Sequence, residues 1–108
     1  MKVVIKDPTY AREDKYTQRI IRMSIEKLKA RYEQYHNQNK TVDDIYGDNV
    51  LIHDKINGFC VFKTHINRIQ MRLLYTVRND KIIIVSHFIK KDHPHDWIPY
   101  FENVTKNL

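Results

Sequence analysis

After Asn57-Gly58 the period of the apolar residues switches to two. Successive side chains of a strand leave opposite faces, so this alternation is what half-buried strands require. Phe59–Lys63, Arg68–Arg78 and Lys81–Ile89 read as three consecutive strands. Asn79-Asp80 reads as a two-residue hairpin turn, because both residue types tolerate positive φ. Thr64-His65-Ile66-Asn67 reads as a four-residue loop. Strands joined so closely pair antiparallel, which predicts a three-stranded meander.

The rest of the chain follows other rules. Residues 2–6 read as a short strand closed by Asp7-Pro8, where proline removes a ladder donor. From Glu13 to Gln38 no Gly or Pro intervenes, and Tyr16, Ile20, Met23, Leu28, Tyr32 and Tyr35 recur at helical spacing. Thr41-Val42-Asp43-Asp44 fits a capping box, predicting a second, short helix that ends near Gly47. The tail from Pro94 to Phe101 reads as a terminal helix capped near Asp96, with Pro99 tolerated in its first turn. The predicted fold is α+β: an N-terminal strand, two helices, a three-stranded antiparallel meander and a C-terminal helical tail. With 108 residues this is one domain, 1–108, with one core.

Composition narrows the setting. Two Gly and three Pro argue against disorder or a linker. A lone Cys60 forms no internal disulfide and supplies no cysteine-based zinc site, so a reducing compartment is expected. The run Val3-Val4-Ile5 is too short for a signal or membrane segment, and no later run reaches that length. The expectation is a soluble cytoplasmic protein without a membrane partner.

Charge says more. Lys plus Arg number 19 and Asp plus Glu 13, net +6. Residues 55–91 hold eight basic residues and one acidic one (Asp80), net +7, whereas residues 1–54 hold ten and nine, net +1. Concentration of the excess in one third of the chain favours a polyanionic partner, most often nucleic acid.

The turns then set an expected register. Arg78 faces Lys81, so Tyr75 faces Ile84, Leu73 faces Ser86, Met71 faces Phe88 and Arg72 faces His87. The four-residue loop sets Lys63 opposite Arg68 and Phe59 opposite Arg72. One face collects Cys60, Phe62, Met71, Leu73, Tyr75 and Phe88 as core. The other collects Lys63, Arg68, Gln70, Arg72 and His87, without an acid to relieve the repulsion. Metal-free RNA cleavage needs a base for the ribose 2′-OH, a cation for the phosphorane and an acid for the leaving oxygen. Arg72 fits the cation and His87 the titratable group. Lys63 and Arg68 fit phosphate contacts at the strand ends.

Gly58-Phe59-Cys60-Val61-Phe62-Lys63, Arg72-Leu73-Leu74-Tyr75 and His87-Phe88-Ile89-Lys90-Lys91 together resemble the RelE/ParE toxin superfamily, most closely its HigB or phage-derived branch. The resemblance covers the C-terminal half; the N-terminal half matches in the order strand, helix, helix. It implies a RelE-like fold and a toxin of a type II toxin–antitoxin pair, an endoribonuclease that cleaves mRNA on the ribosome. It implies a cognate antitoxin, the ribosome and mRNA as partners, and no metal or other cofactor. Lys91 continues the cationic face past the strand end and with Lys90 completes the RNA-binding set, and the resemblance places acid–base residues near Asp92, His93 and His95. The chain departs from the pattern there, since no Tyr stands beside His93 and Tyr100 lies further on. ParE-type relatives poison DNA gyrase, so a gyrase inhibitor or an inactive binding relative is the alternative.

Overall fold

The computed structural model of the protein describes residues 2–37, 54–90 and 96–108. They form an α+β fold, a five-stranded mixed sheet with one helix against each face. Strand β1 is Lys2–Ile5, helix α1 is Lys15–Asn37, β2 is Asp54–Ile56 and β3 is Phe59–Ile66. Then come β4, Ile69–Arg78, β5, Lys81–Lys90, and helix α2, Trp97–Lys106. The sheet order is β1-β5-β4-β3-β2, antiparallel except where β1 runs parallel to β5. The meander of the sequence reading is therefore the middle of a larger sheet. The expected second helix, Thr41 to Gly47, lies outside the described residues. None of the described helices is long and apolar enough to cross a membrane.

Helix α1 starts where Asp14 Oδ1 accepts the Thr17 backbone N–H at 2.6 Å, an N-cap that satisfies one otherwise free amide. This bond holds the Asp14 carboxyl below its ordinary pKa. Ile20, Ile21, Ile25, Leu28 and Tyr32 then follow one face and bury against Cys60, Phe62, Met71, Leu73, Tyr75 and Ile84. Burial of each large side chain contributes about 1.5–3 kcal/mol. Two buried polar pairs fix the docking: Ser24 Oγ and Thr64 Oγ1 lie 2.7 Å apart, and the Tyr32 and Tyr75 hydroxyls 3.0 Å. Burial pushes the Tyr32 phenol up to about 12.

On the opposite face Trp97 and Phe101 of α2 bury against Ile56, Val61, Leu74 and Val85. Asp96 holds the N-cap position of α2 but makes no side-chain capping bond, and Pro99 sits in the first turn as expected. Covering both faces by helices explains why Ile82, Ile83, Ile84 and Val85 are all apolar.

Three two-residue turns connect the strands. Asn57-Gly58, Asn67-Arg68 and Asn79-Asp80 each hold two residues at positive φ, between 49° and 87°. Such turns match the twist of the strands they join. The Asn79-Asp80 hairpin is as expected, with Arg78 opposite Lys81. The four-residue loop is not. Ile66 pairs with Ile69, so Lys63 faces Arg72, not Arg68.

Arg68 occupies this turn at φ 67°, a conformation that costs a residue with a Cβ about 1–2 kcal/mol. Arg68→Gly should therefore raise stability by about 1 kcal/mol, allowing for the extra freedom glycine has when unfolded. Thermal unfolding should show a melting temperature higher by about 4–8 °C. An unchanged or lower midpoint would mean that Arg68 contributes more to the fold than its turn costs.

The second departure is a β-bulge. Tyr75 pairs with Ile84, but Leu74 pairs with Ser86, so Val85 is an extra residue on β5. Beyond it every residue of β5 is displaced by one. Leu73 faces His87, Arg72 faces Phe88 and Met71 faces Ile89. Paired residues share a face, so the bulge sends His87 and Ile89 to the α1 side and Phe88 to the α2 side. Arg72 and His87 are not cross-strand neighbours; they lie on opposite faces of the sheet.

Candidate nucleic-acid interface and a buried histidine

Toward the tip of the β3–β4 hairpin, beyond the apolar patch that α2 covers, one face of three strands carries the cations. Lys63 lies opposite Arg72, Arg72 opposite Phe88, His65 opposite Gln70 and Gln70 opposite Lys90. Lys63, His65, Gln70, Arg72, Phe88 and Lys90 therefore share one surface, with cross-strand Cβ separations of about 4.5–5.5 Å and diagonals of about 7–8 Å. No Asp or Glu occurs anywhere in β3, β4 or β5. Two cations placed directly opposite one another repel, and an anion above the pair relieves both.

The three cations are held differently. Arg72 is 8% exposed, and its Nη1 donates to the Met71 carbonyl at 3.2 Å. The Lys63 ammonium stands 5.2 Å from the centre of the Trp97 ring, the face of which attracts a cation. Lys90 is half-buried at the strand end, and His65 beside them is exposed. Phe88 packs on Tyr100 and Phe101 of α2, which closes the apolar side of the patch. Arg68 sits exposed at the hairpin tip. Although alternation puts Arg72 on the cationic face, it is not open to solvent; its stem is buried between Lys63 and Phe88. Lys91, Asp92, His93 and His95 lie outside the described residues.

His87 belongs to a different constellation. On the α1 side it is 5% exposed, and its Nδ1–H donates to Asp7 Oδ2. Its Nε2–H donates to Glu13 Oε1 at 3.0 Å. Asp7 is itself buried and also accepts from the Thr9 backbone N–H at 2.9 Å and the Thr9 hydroxyl at 2.8 Å. Two carboxylates on two ring nitrogens define an imidazolium. Burial pulls the His87 pKa down, but the bonds and charges of Asp7 and Glu13 outweigh it, and the net direction is up. Burial likewise pushes Asp7 up, and the bonds from His87 and Thr9 bring it below its ordinary value.

Both shifts give a pH signature. The Asp7 contribution to stability is present above its ordinary 3.8 and is lost as pH falls through the lowered value. The His87 contribution is complete below its ordinary 6.5 and is lost as pH rises through the raised value. Urea unfolding midpoints should therefore peak between those two values and decline toward alkaline pH. In His87→Gln the alkaline decline should be absent; if it persists unchanged, other groups cause it.

Three residues of these sites carry no signal in the sequence. His65 falls in the expected four-residue loop, and only the short Asn67-Arg68 turn puts it on β3 with the cations. Asp7 closes the expected first strand and Glu13 opens the expected helix. Neither position signals a partner some 70 or 80 residues away. Comparison with protein-family models, with curated proteins and with solved structures found no match to the chain.

Proposed function

We propose that this protein is the toxin of a type II toxin–antitoxin pair, a metal-independent endoribonuclease that cuts mRNA on the ribosome in the cytoplasm and is silenced by a cognate antitoxin. The observation that carries the reading is the sheet face on which Lys63, Arg72 and Lys90, from three strands that contain no Asp or Glu, stand beside His65. Lys63 and Lys90 suit phosphate contacts that set the register of the strand. Arg72, rigidly held and largely dry, suits the developing charge of a phosphorane, because a preorganised cation needs no rearrangement during the reaction. His65 is the exposed imidazole within diagonal reach of Arg72, placed to accept or donate a proton. His87, locked between Asp7 and Glu13, serves the fold.

Expression of the chain with and without its antitoxin, followed by mapping of mRNA 5′ ends, tests the reading. New 5′ ends should appear only when the toxin is free. Growth arrest with intact mRNA and inhibited DNA gyrase would reverse it in favour of the gyrase poison. The burial of Arg72 supports a second reading, a protein on the same RelE-like fold that binds RNA without cutting it. Protection of RNA without new ends would select that one.

In binding itself, each phosphate contact removed should flatten the dependence of log K on log salt by about one unit. Lys63→Ala and Lys90→Ala should each do so on ribosomes or single-stranded RNA. Unchanged affinity and slope would make this face a solvated surface only.

A further inference from the structure

The other edge of the sheet is built differently. Strand β1 is terminal in the sheet order. The backbone N–H of Lys2 donates to the Asp80 carbonyl, and that of Lys6 to the Ile84 carbonyl. In a parallel pair the same alternate residues use both their amide groups toward the partner, so those of Val3 and Ile5 point outward. Among the described residues no strand pairs with them. Unpaired edge groups are a template for another strand.

Beside this edge runs a groove of about 760 Å³ between β1 and α1, floored by Val3, Ile5, Met23 and Ile25. Ile5 is 37% exposed and Met23 40%, an unusual state for large apolar side chains placed together. The groove's rim carries Arg19, Arg22 and Lys27 against Glu26, and Lys2 and Lys6 flank the strand itself. All six of these charged side chains are exposed. Five cations against one acid define the partner. A second copy of this chain would bring the same cations to the same edge and repel. An acidic strand would be drawn in.

We propose that the β1 edge and its groove bind an acidic, extended peptide segment of a partner protein as a sixth strand of the sheet. Its outward N–H and C=O groups pair with those of Val3 and Ile5. Its alternate apolar side chains enter the groove beside Met23. The acidic residues between them, on the opposite face of the added strand, meet Lys2 and Lys6. The site is separate from the cationic face described above and does not depend on the proposed ribonuclease activity.

Three synthetic peptides test this on the full chain, alternating valine with glutamate, with glutamine or with lysine. The glutamate peptide should bind, the glutamine peptide more weakly and the lysine peptide not at all. Binding should slow hydrogen exchange at the Val3 and Ile5 amides, which face outward in the free protein. Lys6→Glu and Met23→Asp, both at exposed positions, should each weaken binding by about tenfold without lowering the melting temperature. Equal binding of the three peptides overturns the proposal. So does protection confined to the Lys63–Arg72 face, or association of the chain with itself through β1.

Discussion

His87→Ala is expected to lose about 3–5 kcal/mol of stability, as much as truncating a buried aromatic of the core. The loss comes less from the missing ring than from what it leaves behind. Asp7 is buried, and without the imidazolium it is a desolvated carboxylate with only Thr9 to satisfy it. Domains of this size are stable by about 5–15 kcal/mol, so the variant should be marginal at physiological temperature. Its melting temperature should fall by more than about 10 °C. Removing Asp7 as well should cost less than the sum of the two single changes, because each single variant leaves an unpaired buried group. RNA cleavage per folded molecule, measured where the variant is still folded, should be unchanged. A stable His87→Ala protein that has lost cleavage would return His87 to the chemistry.

The second large effect is expected at Arg72. Loss of one transition-state contact commonly costs about 10²–10³ in rate, and Arg72 is the cation best held to make one. Alanine also removes the buried stem between Lys63 and Phe88, so some stability is lost with the charge. Arg72→Met keeps most of that volume and separates the two contributions. It should unfold near the wild-type temperature and cleave about 10²–10³ times more slowly. Arg72→Lys should recover only part of the rate, since an ammonium lacks the two-pronged geometry of guanidinium. Wild-type cleavage by Arg72→Met would remove Arg72 from the reaction. His65→Ala should slow cleavage and alter its pH profile, whereas a role confined to binding would leave the profile in place.

Some of this was legible in the sequence and some was not, for physical reasons. The apolar spacing of α1 reports burial at Ile20, Leu28 and Tyr32 but not at Tyr16 and Met23, which are exposed, while the alternating residues of β3 and β4 report it directly. They placed Tyr75, Leu73, Cys60 and Phe62 on one core face correctly. Lys63 and Arg72 also share a face as expected, although the loop assumed between them was wrong and their pairing therefore shifted. The bulge left no trace. Ile82-Ile83-Ile84-Val85 is apolar on both faces because a helix covers each, so an inserted residue does not disturb any visible pattern. That one residue exchanges His87 with Phe88 and separates the expected catalytic pair. The Asn67-Arg68 turn was hidden for a different reason. Arginine is a poor choice for positive φ, so nothing marked Arg68 as a turn residue and His65 as a strand residue. The link from His87 to Asp7 and Glu13 depends on tertiary structure alone.

The cationic face is the proposed place where RNA is bound and cut. The most direct measurement is the cleavage of a defined mRNA, on ribosomes and in chelator, by wild type, Arg72→Met, His65→Ala and His87→Gln, with new 5′ ends mapped by primer extension. Discrete cuts are expected from wild type, strong loss in the Arg72 and His65 variants, and retained cutting by His87→Gln at a temperature where it is folded. Cutting that survives in the Arg72 and His65 variants but disappears in folded His87→Gln would contradict that placement.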